Sequence, residues 1–313
     1  MPTDPEPTNP EKQTAAPPRF VAVGHRGLRI ASADGETWAN LQTGKEGEVY
    51  RAACFGNGGF AAVGSFGGAN IVASTRDGVL WQTGSRDAKY VNYLRGLGFG
   101  KGLFLGLGGD PGAVGDSKPF VMTSADGLVW SELTPISGKN MLRRVCFGNE
   151  RFVAVGDRGR RAASLDGLAW TDAPDVKAID TLIDVTFGRG LFVGVGLHGL
   201  RMSSDDGVKW SERLVGEEGE HINSVLWTGD RFVAVGQGAT YVSPDGRHWD
   251  RLPNTNAPLV AVYGVGQFIG SNWRGRLLHS TDAVTWKEAF QAEYHIEALA
   301  FGGNDNRPLS PAR

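Results

Sequence analysis

The stretch Ser124-Ala125-Asp126-Gly127-Leu128-Val129-Trp130 recurs, with changes, as seven copies along the chain. Each copy, termed the repeat phrase, has a hydroxyl residue, an Asp two positions later, usually a Gly, and a Trp at the last position. The other copies are Ser32–Trp38, Thr75–Trp81, Ser164–Trp170, Ser204–Trp210, Ser243–Trp249 and Ser280–Trp286. Successive tryptophans are 37 to 49 residues apart. A period near 40, filled with strand-like segments, predicts a propeller or a linear array.

Each repeat contains four predicted strands. The first ends in an aromatic–Gly pair such as Phe55-Gly56 and is followed by a tight Gly/Asn turn. The second has the form Phe-Val-Ala-Val-Gly, as in Phe152–Gly156, and a Gly-containing loop leads to the third. The Asp-Gly turn of the repeat phrase joins the third to a fourth strand near the Trp. Because such a blade buries its faces only by stacking on others, we expect an all-β, seven-bladed β-propeller with four antiparallel strands per blade.

The two ends of the repeat array are incomplete in a complementary way. Residues Arg19-Phe20 enter at a second strand, whereas Ile296–Gly302 matches the first strand Leu94–Gly100 in register. The C-terminal strand is therefore predicted to complete the first blade and remove the exposed strand edges. The predicted organisation is a disordered Pro-rich tether at 1–18, the propeller at 19–303 and a flexible C-terminal tail at 304–313.

Composition excludes some classes of function. The net charge is −2 and the pI about 6.3, so no general basic field favours nucleic acid, and no nucleic-acid partner is expected. No apolar run approaches the roughly 20 residues of a membrane span. Residues 1–18 are polar and contain six prolines. Such a tether suits an exported protein or lipoprotein, so we expect an extracytoplasmic location, with membrane association only through a removed signal or lipid anchor.

The cysteines and histidines predict neither a disulfide nor a metal site. Cys54 and Cys146 occupy the same repeat position in non-adjacent blades, which is too far apart for a disulfide. We expect both to be small buried residues. None of the six histidines has metal-ligand spacing. The sequence therefore predicts no metal and no cofactor.

The repeat phrase resembles the Asp-box, or BNR, repeat of sialidases and their relatives, over nearly all of residues 19–303. The resemblance implies that the aspartates and hydroxyls bond the turn backbone while the Trp packs into the blade. The structural aspartates would be Asp34, Asp77, Asp126, Asp166, Asp206, Asp245 and Asp282. In the last copy Ala283 replaces Gly, which predicts a distorted turn.

The chain departs from true sialidases, which have six blades and a Phe-Arg-Ile-Pro motif that is absent here. Seven blades are more similar to non-enzymatic propellers resembling photosystem II assembly factors, to bacterial surface propellers, and to the blades of xyloglucanase-type hydrolases. Because one fold serves such varied functions, no catalytic residue is transferred from any of these families.

Two sets of arginines are candidates for ligand binding. Four positions before the first-strand aromatic, three consecutive repeats have Arg51, Arg95 and Arg143, and Glu297 occupies this position in the neighbouring blade. On third strands, Arg29, Arg161 and Arg201 stand where the repeat normally has an apolar residue. Arg is suited to bidentate capture of carboxylate or phosphate. Alternatively, these arginines pair with acids of the next blade or cap strand-end carbonyls.

Trp273 and Arg274 lie in a polar loop outside the repeat phrases. An aromatic ring in such a loop stacks on a sugar ring or a partner surface, or else only covers a blade edge. The long loop Gly108–Pro119 is the largest departure from the repeat, and long loops on a rigid ring often carry function.

The leading hypothesis is a non-catalytic propeller, either monomeric or part of a complex, that binds a protein segment or an acidic glycan at an Arg-lined face. The alternative is an Asp-box-type glycoside hydrolase or lyase, which needs two carboxylates about 5–10 Å apart. Asp157 and Asp184 are the first pair to test for that alternative.

Overall fold

The computed structural model describes residues 19–87, 93–110, 115–174, 176–211 and 213–303. The predicted tether at 1–18 and tail at 304–313 lie outside this range. The described residues form seven antiparallel sheets, each built from one repeat. Three one-turn 3₁₀ helices interrupt the strands, at Asp157–Gly159, Ala178–Asp180 and Trp273–Gly275. No helix among these residues is long and apolar enough to cross a bilayer.

The strands are numbered in chain order and grouped by blade. Blades 1 and 2 contain β27 (Ile296–Gly302), β1 (Arg19–Gly24), β2 (Arg29–Ser32) and β3 (Trp38–Gln42), then β4 (Val49–Gly56), β5 (Gly59–Phe66), β6 (Ala69–Thr75) and β7 (Gln82–Asp87). Blades 3 and 4 contain β8 (Tyr93–Gly100), β9 (Leu103–Gly109), β10 (Phe120–Ser124) and β11 (Thr134–Pro135), then β12 (Leu142–Gly148), β13 (Arg151–Gly156), β14 (Arg161–Ser164) and β15 (Thr171–Asp172). Blades 5 to 7 contain β16 (Leu182–Gly188), β17 (Leu191–Gly196) and β18 (Arg201–Ser204), then β19 (Ile222–Trp227), β20 (Phe232–Gly236), β21 (Ala239–Ser243) and β22 (Asp250–Pro253), then β23 (Val260–Gly264), β24 (Gln267–Asn272), β25 (Arg276–Ser280) and β26 (Lys287–Gln291).

The seven-bladed propeller predicted from the repeats is confirmed, including its closure. Strand β27 pairs antiparallel with β1, with Phe20 opposite Phe301 and Ala22 opposite Leu299. Blade 5 has a reduced outer edge, since its fourth strand is represented in the described residues by one bridge between Arg201 and Leu214. The first strands of the blades contact one another in cyclic order and surround the central channel.

An aromatic–Gly pair at the end of the first strand packs one blade against the next in six of the seven blades, and blade 6 has Trp227-Thr228 instead. A Cβ added to Gly148 would lie 2.1 Å from Cγ of Phe187 in the next blade, and one added to Gly56 would lie 2.1 Å from Phe99. In those six blades only glycine leaves room for the neighbouring ring at this position. Each ring also contacts the Phe that opens its own second strand, as Phe187 does with Phe192 at 4.8 Å. The repeated Phe-Gly dipeptide therefore encodes the contact between blades.

The repeat phrases form the turns between third and fourth strands and share one hydrogen-bond pattern. In the first copy, Oγ of Ser32 accepts the N–H of Gly35 at 2.8 Å. Oδ1 of Asp34 accepts the N–H groups of Glu36 and Thr37 at 2.9 and 2.7 Å, and the bond from Thr37 lowers the pKa of Asp34. The Trp Nε1–H donates to the carbonyl at the fourth phrase position in six copies, at Trp38, Trp81, Trp130, Trp170, Trp210 and Trp286. These bonds lie within seven residues, so the turn is determined locally.

Two copies differ from what the phrase predicts. The distorted turn expected at Ala283 does not occur, because Ala283 adopts a left-handed φ of 61° and keeps the bonds to Ser280 and Trp286. In the sixth copy, Nε1 of Trp249 is buried without a hydrogen-bond partner in the described residues.

Both cysteines are free and lie in separate blades, as predicted. Burial raises the pKa of the Cys54 thiol to about 12, and that of Cys146 is raised for the same reason. The thiolate form, which is the nucleophile and metal ligand, is therefore strongly disfavoured at both positions.

Candidate binding site at the channel mouth

The two faces of the ring differ in the kinds of loop that form them. One face, termed the mouth, is where first strands begin and where loops join second to third strands, since Val49 pairs with Ser65. The opposite face carries the repeat phrases and the hairpins between first and second strands. Equivalent first-strand positions in adjacent blades are neighbours at the channel. Arginines repeated at one such position therefore converge.

The structure brings Arg51, Arg95 and Arg143 to one cavity of about 260 Å³ at the mouth. This mouth cavity is also lined by Arg144, Asp157 and Glu297, together with backbone and apolar atoms of blades 4 and 5. Four of the lining side chains are therefore arginines and two are carboxylates. The cavity spans the inner strands of blades 1 to 4 and reaches the start of blade 5.

Two of the three converging arginines have carboxylate partners. Arg143 binds Asp157 with two bonds, from Nε to Oδ1 and from Nη2 to Oδ2, the second at 2.9 Å. Nη1 of Arg51 lies 3.4 Å from Oε1 of Glu297, which also contacts Nε2 of His25 at 2.8 Å. Glu297 is thus shared between His25 and Arg51.

Arg95, between these two arginines, is the exception. In the described part of the chain it has no ion pair and no hydrogen-bond partner, and its Nε is buried without one. Desolvation and then the positive charges of Arg51 and Arg143 lower the pKa of Arg95, while Glu297 and Asp157 oppose the shift only in part. The protein therefore holds one cation in a place where its environment disfavours charge.

The second arginine set does not reach this cavity. Arg29, Arg161 and Arg201 are buried, with 7%, 3% and 7% of their surface exposed. Arg201 donates to the carbonyl of Gly199 at 2.8 Å and lies over the Tyr241 ring of the next blade at 3.9 Å. Arg161 donates to the carbonyl of Asp180 at 3.0 Å, and Arg29 lies over Tyr50 at 5.7 Å. Arg161 and Arg201 therefore cap loop carbonyls, whereas Arg29 has only the ring contact and a buried Nε without a hydrogen-bond partner in the described residues. Because all three are buried away from the mouth cavity, the geometry gives the ligand-binding role predicted for them no support.

Trp273 forms an exposed aromatic shelf on the mouth. Its side chain is 64% exposed, and one face of the indole stacks on His295 at 5.0 Å with the planes 17° apart. Oδ1 of Asn272 accepts the Trp273 N–H at 2.8 Å and fixes the start of this short helix. His295 in turn lies edge-on to His25 at 5.5 Å. A continuous series of side chains thus joins Trp273 to Glu297 and Arg51. Arg274 is exposed beside Trp273, with φ of 63°.

Asp157 and Asp184, the carboxylates chosen for the hydrolase alternative, bind different partners. Asp157 is bound to Arg143, as described above. Oδ2 of Asp184 accepts the N–H of Val225 in blade 6 at 2.9 Å, and burial raises the pKa of Asp184. Ser224 makes the equivalent bond to Ala261 in the next blade at 3.0 Å, which shows that this slot serves to join inner strands. No contact joins Asp157 to Asp184 among the described residues.

The sequence analysis named Asp157 and Trp273 separately but missed that both occupy the position directly after a second strand, together with His25. His25, Asp157 and Trp273 share this position in blades 1, 4 and 7, and all three lie on the mouth. An alignment of the residue following the Phe-Val-Ala-Val-Gly strand would have indicated them together. The loop Gly108–Pro119 contains the same position in blade 3, but part of this loop lies outside the described residues.

A larger groove of about 520 Å³ opens on the opposite face between blades 2 and 3. The carboxylates on its wall, Asp77 and Asp126, hold their own turns. The carboxylates of this groove are therefore used by the turns, whereas the mouth cavity has an arginine without a partner in the described residues.

No protein-family model matches the chain, and no curated protein matches it. Solved structures of propellers do. YCF48 bound to D1 peptide matches with a TM-score of 0.54 and 17% identity, covering 76% of this chain and 79% of that one. YCF48 from Cyanidioschyzon merolae matches with a TM-score of 0.55 and 15% identity, covering 77% and 85%. The WD40 propeller domain of Doa1 matches with a TM-score of 0.59 and 11% identity, covering 80% and 85%. At these identities the likeness shows the fold alone.

Proposed function

We propose that this propeller is a non-catalytic binding module that captures an anionic group of a partner protein at the mouth cavity. The observation that carries the proposal is Arg95, which has no partner in the described residues although it lies between two paired arginines. Holding such a group costs stability, so its retention is understandable if a ligand anion completes the cluster. The ring is rigid and the arginines are already in place, so little ordering entropy is lost on binding.

A protein segment suits this site because the mouth offers contacts over an extended length. From Trp273 through His295, His25 and Glu297 to Arg51, each step is between 2.8 and 5.5 Å. One propeller of similar fold, YCF48, has a solved structure in which it is bound to D1 peptide. That neighbour supports a protein partner by analogy of fold only.

The test is fluorescence anisotropy with three labelled probes: tetra-aspartate, tetra-lysine and an oligogalacturonate. Wild type should bind tetra-aspartate and not tetra-lysine, with affinity falling as salt rises because Arg95 is partly solvent-accessible. Arg95→Ala should weaken tetra-aspartate binding about tenfold, the equivalent of about 1.4 kcal/mol. Arg189→Ala is the matched control, because it removes one exposed charge from a hairpin on the opposite face. Equal binding by wild type and Arg95→Ala would remove this site.

A second candidate ligand is an acidic glycan, and the observation in its favour is the Trp273 shelf. One face of the indole is covered by His295 while most of the side chain is exposed, an arrangement that suits stacking on a sugar ring. This candidate predicts that oligogalacturonate binds more tightly than tetra-aspartate. It also predicts that Trp273→Ala costs at least as much affinity as Arg95→Ala. Turnover of a chromogenic glycoside panel, lost in Asp157→Asn, would instead restore the hydrolase alternative.

A further inference from the structure

The chemical class of the anion follows from the donors that the mouth cavity leaves unused. Both terminal nitrogens of Arg95 are without partners in the described residues. Arg51 uses Nη1 on Glu297, and Arg143 uses Nε and Nη2 on Asp157. Nη2 of Arg51 and Nη1 of Arg143 therefore have no bond to this part of the chain either. Free N–H groups from three adjacent blades thus surround one small space.

The net charge of the cavity wall also bears on the class of anion that it would bind. Four arginines face two carboxylates, which leaves a surplus of two positive charges on the wall. Part of the Arg144 charge is offset by Asp184, which is not on the wall but attracts Arg144. The surplus is therefore concentrated at Arg95, with a smaller contribution from Arg144. A single carboxylate would supply one negative charge, half of the surplus, and its two oxygens lie in one plane, whereas the unused donors come from three blades.

We infer that the group recognised here is a phosphoryl dianion on a side chain of the partner segment, an inference that rests on the proposed function. A phosphate monoester carries about −1.5 to −2 charges at neutral pH and has three strong acceptor oxygens. Its three oxygens point in different directions and can accept from Arg51, Arg95 and Arg143 at once, whereas a carboxylate offers two oxygens in a single plane. The cavity of about 260 Å³ accommodates a group of side-chain size. The mouth thus binds a phosphorylated segment in preference to its unmodified form.

The experiment compares labelled, C-terminally amidated peptides Gly-Gly-X-Gly-Gly in which X is phosphoserine, O-sulfoserine, aspartate or serine. Gly-Gly-Gly-Gly-Asp with a free C-terminus serves as a source of two carboxylates. Sulfoserine matches phosphoserine in shape but is a monoanion, so the pair isolates the second charge. We expect phosphoserine to bind at least tenfold more tightly than sulfoserine or internal aspartate. Serine should not bind measurably. Arg95→Ala should abolish the preference for phosphoserine, Arg95→Lys should retain part of it, and Arg189→Ala should leave it unchanged.

The outcomes separate the two proposals. Equal affinity for phosphoserine, sulfoserine and aspartate overturns the phosphoryl inference but leaves an anion-binding mouth. Tightest binding by Gly-Gly-Gly-Gly-Asp overturns it in favour of paired carboxylates. Binding of no anionic peptide overturns the inference and the proposed function together. Thermal unfolding of each variant shows whether a loss comes from the site or from the fold, and Arg95→Lys keeps the test valid if Arg95→Ala fails to fold.

Discussion

Replacing Gly148 by Ala tests the contact that encodes the ring. The added Cβ would lie 2.1 Å from Cγ of Phe187 and 2.2 and 2.4 Å from its two Cδ atoms. The backbone of Gly148 is not in the left-handed region, so alanine itself is acceptable there. The expected effect is therefore steric and acts between blades 4 and 5.

The magnitude follows from how far the ring must move. Carbon atoms in contact prefer about 3.5–4.0 Å, so Phe187 must retreat by roughly 1 Å or more. It cannot do so freely, because Phe192 lies behind it at a centroid distance of 4.8 Å. Overpacking of this kind costs about 1–3 kcal/mol in the free energy of unfolding. At about 2–4 °C per kcal/mol for a domain of this size, the Tm should fall by roughly 2–12 °C.

The assay is urea denaturation and thermal unfolding of Gly148→Ala beside Gly68→Ala. Gly68 is the matched control, because its added Cβ meets no atom within 4 Å and its φ is not left-handed. Its substitution should change stability by less than about 0.5 kcal/mol. A double variant with Phe187→Leu should recover part of the loss, with a coupling of at least about 0.5 kcal/mol. Equal stability of the two alanine variants would refute the proposed packing between blades.

Three further predictions concern stability. Arg95→Met should raise the free energy of unfolding by about 0.5–2 kcal/mol, because it removes a desolvated cation between two others, and urea denaturation showing a decrease would contradict this. Trp210→Phe should lower the free energy of unfolding by about 0.5–1.5 kcal/mol, because it removes the bond to Gly207. Trp249→Phe should lower it by less, because the N–H that it removes has no partner in the described residues. Parallel urea denaturation of the two variants checks this order. Backbone N–H donors lower the folded pKa of Asp34, Asp126 and Asp166. The stabilisation that these ionised aspartates give the folded state is complete above their unfolded pKa of about 3.9. It is lost as the pH falls through their lower folded pKa values. Denaturation between pH 7 and 2 should show this loss, and Asp126→Asn should make it shallower; a profile unaffected by acid would count against the turn bonds.

Much of the site was within reach of the sequence because position in the repeat fixes position in the ring. The alignment that placed Arg51, Arg95 and Arg143 at one register predicted their convergence, and adjacent first strands bring them to one cavity. The same reasoning failed to separate them from Arg29, Arg161 and Arg201. Those arginines also repeat in register, but the neighbouring blade covers them. The position of a residue in the repeat determines where in its blade it lies. Whether its side chain is buried depends on the side chains that the next blade packs against it.

The extracytoplasmic location and the sialidase-like relationship stay predictions. The first depends on residues 1–18, which lie outside the described range, and the second on a phrase whose hydrogen bonds fix a turn. A turn held by its own Ser, Asp and Trp indicates how a blade folds and does not indicate which ligand the ring binds.

The sequence by itself determined the seven repeats, the local turns and the closing strand Ile296–Gly302, because each is written in contiguous residues. Only the tertiary structure decided which arginines are neutralised. Glu297 meets Arg51 across 246 positions of sequence, while no acid among the described residues forms an ion pair with Arg95. Charge pairing depends on distance across the ring, and that distance exists only once the blades have closed.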